Sequence, residues 1–174
     1  MKLSKKLSVS AILAALAVII LLIGSFVETV TLATAAIASV CVMVAVIELG
    51  ASYSIMIYLV SSVLGIVLLP IKDPAIFYVL SFGYYPIVKY FVEKIRVKAI
   101  PYVIKGAVFT AAFSALFYIA VKFLVPEAGL TKYLIFIYPA ALLVFFVFDY
   151  SFSRLSYSYV TKLRKRLGIN KLLK

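Results

Sequence analysis

The residues best suited to hold a small molecule lie at the ends of long apolar runs. Glu28, Thr29 and Thr31 form one polar turn, Lys72 and Asp73 a second, and Lys122, Glu127 and Lys132 surround a third. Tyr78, Tyr118, Tyr133 and Tyr138 stand close to these turns along the chain. Charged groups and hydroxyls set over aromatic walls are the general make-up of a small-molecule pocket: the rings supply contact area and a few directional groups fix orientation. The same residues also fit an aromatic belt at the headgroup level, with the turn charges solvated. Glu28, Thr31, Lys72, Asp73, Tyr78, Tyr118, Glu127, Lys132 and Tyr138 are thus candidate substrate-binding residues, provided the elements that carry them bring the turns together.

Other chemistries lack their residues. The chain has no histidine, so the commonest metal ligand and neutral-pH proton carrier is missing. Cys41 is the sole cysteine and falls inside an apolar run, which leaves no internal disulfide and no thiolate metal framework. There is no His-Glu-x-x-His, no Gly-x-Ser-x-Gly, no aspartate cluster of the kind that holds catalytic metal ions, and no phosphate-cradling glycine loop. An enzyme, a cofactor and a bound metal are therefore not expected, nor is ATP hydrolysis by this chain alone. Asp149 and Lys89 lie near helix ends, where snorkelling or pairing accounts for them. Glu48 and Glu93 also sit at helix ends, where pairing with neighbouring basic residues or docking of a cytoplasmic partner accounts for them, and no carboxylate occupies the middle of a run as a proton-driven pump requires.

These residues are positioned by apolar helices. Of the 174 residues, 66% are hydrophobic and 14% charged, and the mean hydropathy is +1.19, more apolar surface than a water-soluble fold can hide. A spanning helix needs ~20 apolar residues, and the runs predict a single-domain, all-α membrane protein. Its fold is a compact bundle of about six transmembrane helices near 8–27, 32–49, 52–69, 74–92, 102–125 and 132–152, with a basic tail over 153–174. Gly83 and Pro86 fall inside the fourth, predicting a kink or local unwinding at Gly83-Tyr84-Tyr85-Pro86. The apolar stretch after Lys6 is longer than a signal-peptide core and is expected to be a retained helix.

The net charge of +12, from 18 Lys and Arg against 6 Asp and Glu, follows the same plan. Basic residues gather at Lys2, Lys5 and Lys6, at Lys94, Arg96 and Lys98, and from Arg154 to Lys174, between or beyond the apolar runs. Such an excess marks cytoplasmic segments, which predicts both termini inside and the three polar turns outside. Membrane lipids, not nucleic acid, are the expected partners of this charge. Two stripes of small residues, Ala11-x-x-x-Ala15 with Ala14 beside it and Ala107-x-x-x-Ala111-x-x-x-Ala115, allow close helix approach. The second is expected to pack within the bundle; for the first, a partner protein competes with internal packing.

The run Ser10-Ala11-Ile12-Leu13-Ala14-Ala15-Leu16, the six-helix plan and the Gly83-Tyr84-Tyr85-Pro86 segment resemble the substrate-binding S components of energy-coupling factor (ECF) transporters. In sequence the resemblance rests on the first helix and, more loosely, on the fourth. It implies a subunit that captures a vitamin or related nutrient from outside and docks on a transmembrane coupling subunit attached to two ATPases. The family's first-helix alanine motif falls on Ala11 and Ala15, with Ala14 adjacent, so these are the expected docking residues. The compact plan with short loops suits a bacterial or archaeal plasma membrane, and the absence of histidine disfavours the metal-specific branch of the family. The competing reading is a structural six-helix scaffold of the cell-shape or division type, with no small-molecule ligand and with its basic tail as the working part.

Overall fold

The computed structural model describes residues 3–93, 104–114 and 134–164, and among these every regular element is helical. The chain groups into two compact units, one of Lys2–Ile119 and one formed largely by Ala120–Lys174. The first contains α1 (Leu3–Phe26), a 3-10 turn (Glu28–Val30), α2 (Thr31–Glu48) and α3 (Ala51–Leu68). It continues through α4 (Asp73–Phe77), a π turn (Tyr78–Phe82), α5 (Tyr85–Val92) and α6 (Ile104–Ser114). The second contains α7 (Leu134–Ser158) and a π turn over Tyr159–Leu163.

Four stretches are long and apolar enough to cross a bilayer: Leu3–Phe26, Thr31–Glu48, Ala51–Leu68 and Asp73–Val92. Their outward faces agree with that medium. Ile12, Leu16, Ile19 and Ile23 on α1, and Leu59, Val63, Ile66 and Val67 on α3, are all exposed. In water such continuous apolar faces would drive association, whereas hydrocarbon accepts them. α2 is the central helix: it packs against α1, α3, α4 and α5, and 56% of its span is buried against 28% for α1 and for α3. Its inward residues, among them Ala35, Ala38, Ser39, Cys41 and Ala45, are small, which lets several helices approach it.

α1 turns Ala14, Ala17, Val18, Leu21, Gly24 and Ser25 inward, spaced three and four residues apart as one helix face demands. At Gly24 there is no room for a Cβ, because Thr34 of α2 lies against the glycine. The α2–α3 joint is made by Gly50, whose φ of +92° is a conformation that L side chains rarely adopt. Buried hydroxyls bond back to their own helices: Thr34 Oγ1 donates to the Thr31 carbonyl at 3.0 Å, Ser39 Oγ to Ala36 at 2.6 Å and Ser54 Oγ to Gly50 at 2.9 Å. That arrangement satisfies a polar atom where no water can.

Two boundaries differ from the sequence expectation. The first helix starts at Leu3, not near 8, since Lys5 and Lys6 are good helix formers and carry the coil past its apolar part. The fourth span carries the interruption expected at Gly83–Pro86, which divides it into α4 and α5. The sixth expected helix continues to Ser158, so the beginning of the expected tail is helical. The turn at Pro126–Gly129, the larger part of the loop 93–100, the ends of the fifth expected helix, the start of the sixth and the last ten residues lie outside the described residues.

Candidate functional site

The break in the fourth span follows from two residue types. Pro86 has no N–H to donate, and its ring excludes the carbonyl four residues earlier, so the helix entering from α4 cannot continue through it. The last turn before the break widens into a π turn, in which the Gly83 amide donates to the Tyr78 carbonyl at 2.6 Å. Beyond a bend at Gly83 and Tyr84, the helix restarts with Pro86 in its first turn, where a proline is tolerated, and the Ile87 and Val88 amides donate to the Tyr84 carbonyl. Gly83 has an ordinary helical φ of −66°, so it is needed for space. A Cβ there would lie 2.8 Å from the Tyr58 ring and 2.9 Å from the Tyr78 ring, closer than real Cβ atoms come to carbon.

Around that break, α3 and the fourth span build a nest of neutral polar groups. The Tyr58 ring centroid is 6.0 Å from that of Tyr78 and 6.4 Å from that of Tyr84, the second pair edge to face. The Tyr58 hydroxyl donates to the Val79 carbonyl, within the π turn, at 3.0 Å. The Tyr78 hydroxyl and Ser61 Oγ are 2.8 Å apart. Ser61 Oγ is also 2.7 Å from the Ile57 carbonyl, which can only accept. Ser61 therefore directs its single hydrogen to its own helix, and the Tyr78 hydroxyl donates to Ser61. Phenol and serine hydroxyls, a backbone carbonyl and tilted aromatic faces are joined here by hydrogen bonds within packed helices, with no ion pair among them.

The residues expected from sequence divide among several fates. Tyr78 belongs to the nest, but it is wholly buried at 0% exposure, within the packed interior instead of beneath an open turn. Lys72 and Asp73 are exposed. The Lys72 ammonium donates to the Leu69 carbonyl, and at 3.5 Å to that of Val67, which closes the end of α3. Asp73 opens α4, where a carboxylate complements the helix dipole. Thr31 is half-buried at the start of α2. The two turns share one end of the unit, because the Ile71 amide donates to Ser25 Oγ near the end of α1 at 3.0 Å. The side chains of Glu28 and Tyr138 are not described, and Tyr118, Glu127 and Lys132 lie outside the described residues.

Tyr58, Ser61 and the packing role of Gly83 were not among the expected site residues. A signal for them exists: Ser54, Tyr58, Ser61 and Ser62 recur at the spacing of one helix face within an otherwise apolar run.

At the opposite end of the unit the charges are engaged. Glu93 Oε1 accepts from the Lys105 ammonium at 2.9 Å and pairs with Lys89 at 3.3 Å, the two lysines buried and the carboxylate half-exposed. The Lys6 ammonium sits 5.4 Å from the centroid of the Tyr53 ring. On α1, Ala14 is buried while Ala11 and Ala15 are exposed. On α6, Ala107 and Ala111 are exposed, not turned into the packing as their spacing predicted, and Ala115 lies outside the described residues. Comparison with known proteins returned no match to a family model, a curated protein or a solved structure.

Proposed function

We propose that this chain is the substrate-binding subunit of an ATP-driven importer of the ECF type. It takes a small vitamin-like solute from the outer face and delivers it through a separate transmembrane coupling subunit and its two ATPases. The observation that carries the proposal is the broken fourth span. Interrupted helices inside a bundle, with hydroxyls and backbone carbonyls gathered at the interruption, are how membrane proteins build solute sites without placing charge in hydrocarbon. The outward alanines Ala11 and Ala15 support the docking half of the reading, since small residues on a free helix face permit a second helix to come close. In this reading the bundle has about six spans with both termini in the cytoplasm of a bacterial or archaeal cell. The distribution of Lys and Arg supports that orientation.

The test is the thermal unfolding midpoint of the detergent-purified chain against vitamins, their precursors and nucleobases. A ligand at 100 times its Kd adds ~2.7 kcal/mol. One compound is expected to raise the midpoint, and Tyr58→Phe combined with Ser61→Ala is expected to abolish the rise. Ala11→Trp with Ala15→Trp is expected to prevent assembly with the coupling subunit while keeping the ligand response. A flat panel in folded, ligand-free protein would favour the scaffold reading, which draws its own support from the continuation of α7 into a basic segment.

A further inference from the structure

We infer that the end of α7 is a binding surface for anionic phospholipid headgroups. From Ser151 to Lys174 the chain carries Arg154, Lys162, Arg164 and four further Lys or Arg, and no Asp or Glu. Its first part, up to Ser158, continues the helix of an uncharged apolar stretch, Leu134–Phe148, with the buried Asp149 and the exposed Tyr150 between the two. The positive charge begins at Arg154, just past the apolar part of the helix, the position at which a headgroup layer meets a spanning helix.

The side chains are arranged for that layer. Phe152 and Tyr159 are buried, whereas Tyr150, Arg154, Leu155, Tyr157, Val160 and Lys162 are exposed. Tyr150, Arg154 and Tyr157 fall on one helix face, at intervals of four and three residues. The Arg154 guanidinium lies 5.8 Å from the centroid of the Tyr150 ring, and its Nε donates to the Tyr150 hydroxyl at 3.3 Å. An exposed phenol thus holds an arginine whose remaining N–H groups suit a phosphate oxygen. Leu155 and Val160 add apolar surface on the exposed side, which favours a lipid over free phosphate or a nucleic acid. Tyrosines at the interface and lysines or arginines just beyond it are the residue types that a negatively charged leaflet attracts.

The experiment uses the full-length chain purified in detergent and titrated with phosphatidylglycerol and phosphatidylcholine of matched acyl chains, with retained lipid counted by native mass spectrometry. The wild type is expected to favour the anionic lipid by about tenfold at low salt, and Arg154→Gln with Lys162→Gln to lose most of that preference. Arg154→Lys with Lys162→Arg keeps the charge and is expected to keep the preference. Circular dichroism and a monodisperse elution profile establish that each variant is folded. Should the neutral variant fail to fold, the wild type decides: its preference is expected to fall steeply between ~0.05 M and ~0.5 M salt as screening shortens. Equal retention of the two lipids, a salt-independent preference, or an unchanged preference in the folded neutral variant would each overturn the inference. Failure of the vitamin panel would leave it standing, because it does not use the solute site.

Discussion

The α3–α4 turn and the break in the fourth span are near neighbours along the chain and handle polarity in opposite ways. The turn holds two full charges, Lys72 and Asp73, and spends them on helix ends: the ammonium closes α3 and the carboxylate opens α4. The break holds no charge, yet its groups bind across helices. Tyr58 of α3 reaches the Val79 carbonyl, and Tyr78 reaches Ser61 of α3. Charges in a membrane protein collect where water or headgroups reach them and there do backbone work, whereas neutral hydroxyls can be carried inward to specify which helices meet. The polar turns that drew attention in the sequence therefore serve helix ends, whereas the polar contacts between α3 and the fourth span lie in the uncharged interior.

Substitutions can break or sharpen that comparison. Gly83→Ala should have the largest effect: the added carbon meets two rings whose hydroxyls are already committed, and overpacking of this kind costs about 1–3 kcal/mol. The check is the thermal midpoint in detergent, and an unchanged midpoint would mean that the rings step aside freely. Ser61→Ala should follow, at about 1–3 kcal/mol, because it strands the Tyr78 hydroxyl in an enclosed site, whereas Tyr78→Phe leaves Ser61 bonded to Ile57 and costs about 1 kcal/mol or less. Equal losses for the two would contradict the hydrogen-bond direction assigned here. Lys72→Ala should be smallest, within about 0.5 kcal/mol, as befits an exposed side chain at a helix end. A loss as large as that at Gly83 would move the weight of the molecule back to the turn.

Much of the architecture was legible because a bilayer imposes it. Long uncharged runs such as Leu7–Val27 have few alternatives to a spanning helix, and the Gly83–Pro86 interval announced its own interruption. Helix ends were less legible, since Lys5 and Lys6 at one terminus and Ser153 and Arg154 at another continue a helix beyond the apolar stretch that reveals it. The site was least legible. Tyr58 finds Val79 and Ser61 finds Tyr78 through the rotation of two helices about their axes, and when both helices are apolar nearly all round, composition hardly constrains that rotation. In the sequence Tyr78 stands out only for its nearness to Lys72 and Asp73, whereas its partners Tyr58 and Ser61 lie inward on α3.

The fourth span is fastened at both ends to different neighbours. Its leading turn is tied to α1 through Ile71 and Ser25, and its far end is tied to α6 through Glu93 and Lys105. Between the two moorings the only interruption is at Tyr78–Tyr84. A beam anchored at both ends and jointed in the middle concentrates any relative displacement of its supports at the joint. Shifts of α1 against α6, whatever sets them off, are thus converted into strain on the pair of hydrogen bonds beside Gly83.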